Sequence, residues 1–316
     1  MIPEITRQHL GKVMISSAVV ANISDMDGLL HLFGQTLYHF HHRGLTHSFI
    51  GLPLVLLGSW LMMKLIWRHS LDTVFTKKQL WIWMIWQNLF CHLLLDYLTA
   101  YGVMLFYPLS FQRFSWPIMF NIDPVFWIIC GTGLGFIIAF KTSNRIRLTG
   151  CLTLMGCLLW WSGLIFYKSK AESLSFPGEQ PMSFPSPLAP IGWLVVNQNE
   201  SSYETTLVSF FHPGKPKVMK QTLADSLYFE SLCSALEDQS DAQTAFLNYK
   251  QWASHVVCQD DSQESCICHS MRYAFYLSEG TPYFGSVRIH KKGDIAFLPP
   301  ETREGLRRFR QTFLND

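Results

Sequence analysis

The stretch LWIWMIWQNLFCHLLLDYLTA, Leu80–Ala100, decides the class of this protein. It is apolar and long enough to span a bilayer, which takes about 20 residues, yet it carries His92 and Asp96. Ionisable groups are costly beside hydrocarbon, so such a pair marks a functional site by default. Positions i and i+4 of a helix share a face, so the imidazole and the carboxylate can chelate one ion. Asn88 lies a turn before them and Thr99 about a turn after, which makes a polar stripe. The plain structural alternative is a polar pair gluing helices together, as membrane bundles also use.

Working outward, three more apolar stretches reach spanning length: Phe49–Trp67, Ile118–Phe140 with Asp123, and Leu148–Tyr167. Gly11–Ser24 is a shorter fifth candidate. Basic residues orient the set. Arg7 and Lys12 precede the first segment, Arg68, Lys77 and Lys78 follow the second, and Lys141, Arg145 and Arg147 follow the fourth. By the positive-inside rule these ends are cytoplasmic. The loops 25–48 and 101–117 hold only Arg43 and Arg113, so they face outward with the C-terminal half. Asp25, Asp27, His41, His42, His47, His92, Asp96 and Asp123 then converge on one membrane face.

Charge divides the chain in the same way. Residues 1–167 hold 11 Lys/Arg and 6 Asp/Glu, leaving 14 and 17 for the rest of the 316. The expected organisation is an all-α polytopic membrane domain of about five helices at 1–167 and a Pro/Ser/Gly-rich linker at 168–190. A small α+β extramembrane domain follows at 191–316. There, Ile191–Val196, Thr205–Phe211, Tyr283–His290 and Ile295–Leu298 read as strands, His212–Pro216 as a loop and Gln243–His255 as a helix. The net charge of +2 sums two unlike halves, and no basic run with interleaved aromatics suggests nucleic-acid binding.

Cys233, Cys258, Cys266 and Cys268 fit two disulfides in an oxidising compartment, with three possible pairings. The rival is a zinc set of Cys258, Cys266, Cys268 and His269.

The densest chemical cluster is His41-His42-Arg43-Gly44-Leu45-Thr46-His47-Ser48. Imidazoles here can ligate, and Arg43 can hold an anionic oxygen. Asp25-Met26-Asp27 offers two hard oxygen ligands that grip one ion or bridge two; a solvated turn or helix cap is the plain alternative. Asp123-Pro124 is also an ordinary helix start. Histidine with aspartate suits zinc first, with manganese or iron as alternatives, as one or two ions. Such a centre turns water into a nucleophile near neutral pH. Asp25 or Asp27 would serve as general base and Arg43 as electrophilic partner.

The ordered runs Ser24-Asp-Met-Asp-Gly-Leu-Leu, His42-Arg-Gly-Leu-Thr-His-Ser, His92-Leu-Leu-Leu-Asp-Tyr-Leu-Thr-Ala-Tyr-Gly and Asn121-Ile-Asp-Pro resemble the YdjM/YbcI family. Its members are bacterial inner-membrane proteins described as metal-dependent hydrolases. The resemblance implies that Asp25, Asp27, His42, His47, His92, Asp96 and Asp123 are the metal ligands. His9 would correspond to the family's early Thr-His, although Gln8 stands before it here. A looser similarity of the helical His/Asp pattern to zinc-dependent phospholipase C points towards phosphoesters. The resulting expectation is a multi-pass inner-membrane hydrolase with its C-terminal domain in the periplasm. Its expected partners are membrane lipids and a lipid or phosphoester substrate. Alternatives are a transporter or ion-handling protein, and a non-enzymatic envelope scaffold.

Overall fold

Capping and punctuation residues set the helix boundaries in the computed structural model. It describes residues 7–68, 71–140, 142–176, 181–186, 191–198, 203–210, 217–223, 240–253, 256–262, 264–270 and 286–298. Its two compact units are Met1–Trp116 with Val125–Trp160, and Pro117–Pro124 with Trp161–Asp316.

The first unit is helical. α1 (Arg7–Ala21) leads into a 3-10 helix, Ile23–Phe33, which Gly34 ends at φ 124°. α2 (Gln35–His41) and the 3-10 turn Leu45–His47 precede α3 (Leu52–Trp67). The short α4 (Leu71–Val74) leads to α5 (Lys77–Asn88), whose start is fixed by a reciprocal Thr76–Gln79 capping box. The helix then widens into a π turn at Leu89–Leu93 and closes as α6 (Leu94–Tyr97). Leu80–Ala100 is thus helical to Tyr97, but not regular throughout.

The core of this bundle joins Val20, Met63, Trp67, Leu71, Phe75, Leu80 and Met84. Trp67 Nε1 donates to Ser16 Oγ at 2.7 Å, tying α3 to α1. Asn88 Nδ2 donates to Ser59 Oγ at 3.2 Å, tying α5 to α3. The polar positions of these helices are therefore spent partly on one another, as membrane-type packing uses them.

α7 (Pro124–Ala139) begins directly after Asp123, six residues later than Ile118. Proline fits the first helical turn, where its missing N–H is harmless. α8 (Ser143–Ser175) overruns the expected linker start, because Lys168–Ser175 contains no Gly or Pro; Pro177 lies just beyond. Among the described residues, Asn144–Ser175 is the helix that alone is long and apolar enough to cross a membrane. Two bent pairs would raise the count to three: His9–Ala21 with Ile23–Phe33, bent by 51°, and Gln35–His47 with Leu52–Trp67, bent by 81°.

The C-terminal part carries two four-stranded antiparallel meanders. One runs β1 (Met182–Pro185), β2 (Gly192–Gln198), β3 (Tyr203–Ser209) and β4 (Lys217–Leu223). The other runs β5 (Val256–Ser262), β6 (Ser265–Ser270), β7 (Val287–His290) and β8 (Ile295–Phe297). α9 (Ser240–Ala253) lies between them in sequence, and its Tyr249 donates to the Cys268 carbonyl at 3.2 Å. β1 occupies part of the expected linker, pairing with β2 from Met182↔Val196 to Pro185↔Trp193.

Cys258 and Cys268 face each other across β5 and β6 and form a disulfide. Cys266 is buried on β6. The zinc alternative fails here: two of its sulfurs are bonded together, and strand alternation sends His269 to the face opposite Cys268. Cys233 and the 212–216 loop lie outside the described residues.

His269 is buried, with Nδ1 2.9 Å from Ser286 Oγ. Burial pushes its pKa down from 6.5 to about 4. The unfolded chain therefore binds the extra proton between those values, so stability is full above pH 6.5 and falls as the pH drops towards 4. The loss should reach about 3 kcal/mol. Thermal melts of the full-length chain at pH 7 and pH 5 check this, and His269→Gln should flatten the dependence.

Candidate metal centre

The 3-10 helix carries Asp25 and Asp27, the segment after α2 carries His42, Arg43 and His47, and the π turn with α6 carries His92 and Asp96. The loop holding Arg43 is built on exceptional backbone. Arg43 has φ 59°, a left-handed value costly for a side-chain-bearing residue. A Cβ on the next residue, Gly44, would lie 2.6 Å from the His41 carbonyl oxygen, which explains glycine there. A Cβ on Gly51 would collide with the Leu45 carbonyl oxygen.

The loop is held from outside as well. Met104 N donates to Arg43 O at 3.0 Å, and Phe49 N to Leu105 O at 3.0 Å. Arg113 Nη2 donates to the carbonyls of His39 and His42, at 3.2 and 2.8 Å. Arg43 and Arg113 both lie over the Tyr101 ring, 5.1 and 4.5 Å from its centroid. Arg113 was visible in the sequence only as one of two cations in the outward loops.

Asp27 organises the interior. Its Oδ1 accepts from His42 Nδ1 at 2.8 Å, and its Oδ2 accepts from Arg43 N at 2.8 Å and the Thr46 hydroxyl at 2.9 Å. Thr46 gives its proton to Asp27, so its oxygen accepts from His47 Nδ1, 3.0 Å away. That chain places the His47 proton on Nδ1 and leaves a lone pair on Nε2. Ligating histidines are normally oriented by a partner in this way.

Four atoms then converge. His47 Nε2 lies 2.9 Å from His92 Nε2, 3.1 Å from Asp96 Oδ2 and 3.6 Å from Asp25 Oδ1. His92 Nε2 lies 3.5 Å from both Asp25 Oδ1 and Asp96 Oδ2. Ligand atoms about 2.0–2.1 Å from a tetrahedral zinc stand about 3.3–3.4 Å apart, and these separations scatter around that value. Asp96 Oδ2 is buried and makes no hydrogen bond, although His47 Nε2 is close. Its partner oxygen Oδ1 is held by Arg43 Nη2 at 2.9 Å, with Arg43 Nη1 on Thr99 Oγ1 at 3.1 Å. The carboxylate is thus oriented to present one oxygen to the shared point. Two imidazole nitrogens and two carboxylate oxygens around a common centre fit a divalent ion such as zinc.

Asp25, Asp27 and His42 form an adjoining ligand group, with Asp25 common to both. Asp27 is already engaged by three donors. Arg43 is buried and committed to Asp96 and Thr99, a geometry that positions a ligand. Asp123 is buried, belongs to the other compact unit and enters neither group. His41 contacts the Tyr107 hydroxyl at 3.1 Å, and His9 packs 5.7 Å from the Trp67 ring.

Elemental analysis of the purified chain should find stoichiometric divalent metal, lost when His92 and Asp96 are both replaced by Ala. Thr46→Val removes the group that fixes the His47 tautomer, so chelator competition should read about a 10–100-fold loss of affinity.

The sequence profile of the family described as YdjM inner membrane protein matches residues 2–169. An uncharacterized protein, YfhP of Bacillus subtilis (strain 168), is 28% identical over 116 residues. That match covers 37% of this chain and 34% of YfhP, so the chain spans about a third of that relative's length. No solved structure matches.

Proposed function

The chain belongs to the YdjM inner membrane protein family, and on that premise we propose that it is a metal-dependent hydrolase of a phosphoester or lipid-like substrate. It acts at the outer face of the inner membrane. The observation that carries this reading is the four-atom cage of Asp25, His47, His92 and Asp96, in which both histidines are buried, Asp96 is half-buried and Asp25 is exposed. The Asp25 side chain is 43% exposed while that of His47 is fully covered. Asp25 is therefore the most accessible of the four to an incoming ligand.

Asp25, His47, His92 and Asp96 would hold zinc, or manganese or iron in its place. The ion, when bound, supplies Lewis-acid activation of water and of a phosphoryl oxygen. Asp25 lies nearest to solvent and is the carboxylate able to take a proton from an attacking water. Asp27 keeps His42, Thr46 and the Arg43 backbone fixed, and Arg43 keeps Asp96 single-ended. Arg43 accordingly positions a ligand and leaves the substrate oxygens to the ion.

The wider arrangement follows the basic clusters: five crossings, with the C-terminal part in the periplasm. The Cys258–Cys268 disulfide supports an oxidising compartment. A second reading, a metal-braced envelope scaffold, draws on the same cage, because four protein ligands are the pattern of closed structural zinc sites. X-ray absorption of the metal-loaded chain separates the two. An oxygen ligand from water supports hydrolysis, and a complete protein shell supports bracing.

Metal-loaded protein should release phosphate or head group from phospholipid, and the His92→Ala, Asp96→Ala double variant should fall to background. Equal release by both proteins would refute the assignment.

A further inference from the structure

The segment Ile23–Phe33 is 11 residues of 3-10 helix, well beyond the 3–4 residues at which such helices commonly stop. With three residues per turn, side chains at i and i+3 eclipse, so the segment has three straight faces. One face carries Asp25, Gly28 and His31. A second carries Ser24, Asp27, Leu30 and Phe33, turning inward at Ser24 and Asp27 and outward at Phe33. The third is Ile23, Met26, Leu29 and Leu32; Ile23 is buried, and the other three are 58%, 56% and 80% exposed.

This third face is a wholly apolar ridge, and it starts beside a residue that lends an oxygen to the metal cage. The segment turns away from α1 at a bend of 51°. Its backbone bonds are internal, which is the condition for peptide to lie against lipid. The four exposed apolar side chains of this segment, Phe33 among them, offer much less than the ~800 Å² per partner typical of a stable protein interface, so a second copy of the chain is the poorer occupant.

We infer that Ile23–Phe33 lies along the membrane surface with Met26, Leu29 and Leu32 among the acyl chains. The substrate is then an amphiphile anchored in the bilayer, whose phosphate reaches the cage laterally past Asp25. The placement of the ridge stands on exposure and periodicity. The substrate class rests on the hydrolase reading above.

Full-length protein carrying p-benzoylphenylalanine at Leu29 or Leu32 is reconstituted in phosphatidylethanolamine and phosphatidylglycerol vesicles and illuminated. Mass spectrometry should find lipid adducts at both positions and far fewer at His31. Crosslinks to a second copy, or no lipid adducts, overturn the placement. Phosphatidic acid in vesicles and soluble glycerol 3-phosphate then serve as paired probes. Surface confinement should favour the lipid by about tenfold or more. Equal turnover of the two overturns the amphiphile and leaves the hydrolase intact. Lipid adducts without turnover of either uphold the ridge and count against hydrolysis.

Discussion

Asp27 is the carboxylate on which the centre depends, although it stands outside the four-atom cage. Its two oxygens accept from His42, the Arg43 backbone and Thr46. A carboxylate taken out of water is tolerable only when its lone pairs are satisfied. Here the satisfaction also does structural work. It pins the loop in which Arg43 adopts a left-handed backbone, and through Thr46 it fixes which His47 nitrogen is free. Remove it, and the loop loses its anchor while His47 loses its tautomer.

The centre is assembled from irregular helix. Asp25 and Asp27 come from a 3-10 segment, His47 from a 3-10 turn and His92 from a π turn. Each winding redirects side chains that a regular helix would send elsewhere, and π turns recur at functional sites for this reason. The regular parts, α1, α3 and α5, carry the apolar core and the paired Ser, Asn and Trp groups. Backbone groups that such irregularity leaves unbonded are compatible with a membrane only where they are covered by protein or line a cavity. The buried Asn88–Ser59 pair and the clamp of Arg113 on Tyr101 contribute to that cover.

Much of the centre was legible in the sequence because its donors are few and stand out against apolar neighbours. His92 and Asp96 needed only helical spacing to be paired. The partnership of Arg43 with Asp96 was not legible, because 53 residues separate them and only tertiary folding brings the guanidinium to that oxygen. The same holds for Thr46, whose importance lies in a proton chain rather than in its residue type. In the C-terminal part the strands at 192–198 and 203–209 matched their β-branched composition. β1 was hidden by Pro185 and by Pro181 just before it. β5 and β6 were hidden by polar residues such as Gln259, Asp261 and Ser262, which speak for turns in isolation. The disulfide follows from the register that sets Cys258 opposite Cys268.

Charge balance argues for what the cage is built to hold. Asp25, Asp27 and Asp96 contribute three negative charges and Arg43 one positive, −3 + 1 = −2 with the histidines neutral. Like charges this close, and largely out of water, repel strongly. Two protons on His47 and His92 would cancel the excess on paper. They would also set two Nε2–H donors against each other across 2.9 Å, with Nδ1 of His47 already donating to Thr46. A single ion of charge +2 at the common point removes the excess and turns the facing lone pairs into bonds. A shared ion would account for the closeness of the two nitrogens and would give Oδ2 of Asp96 a partner.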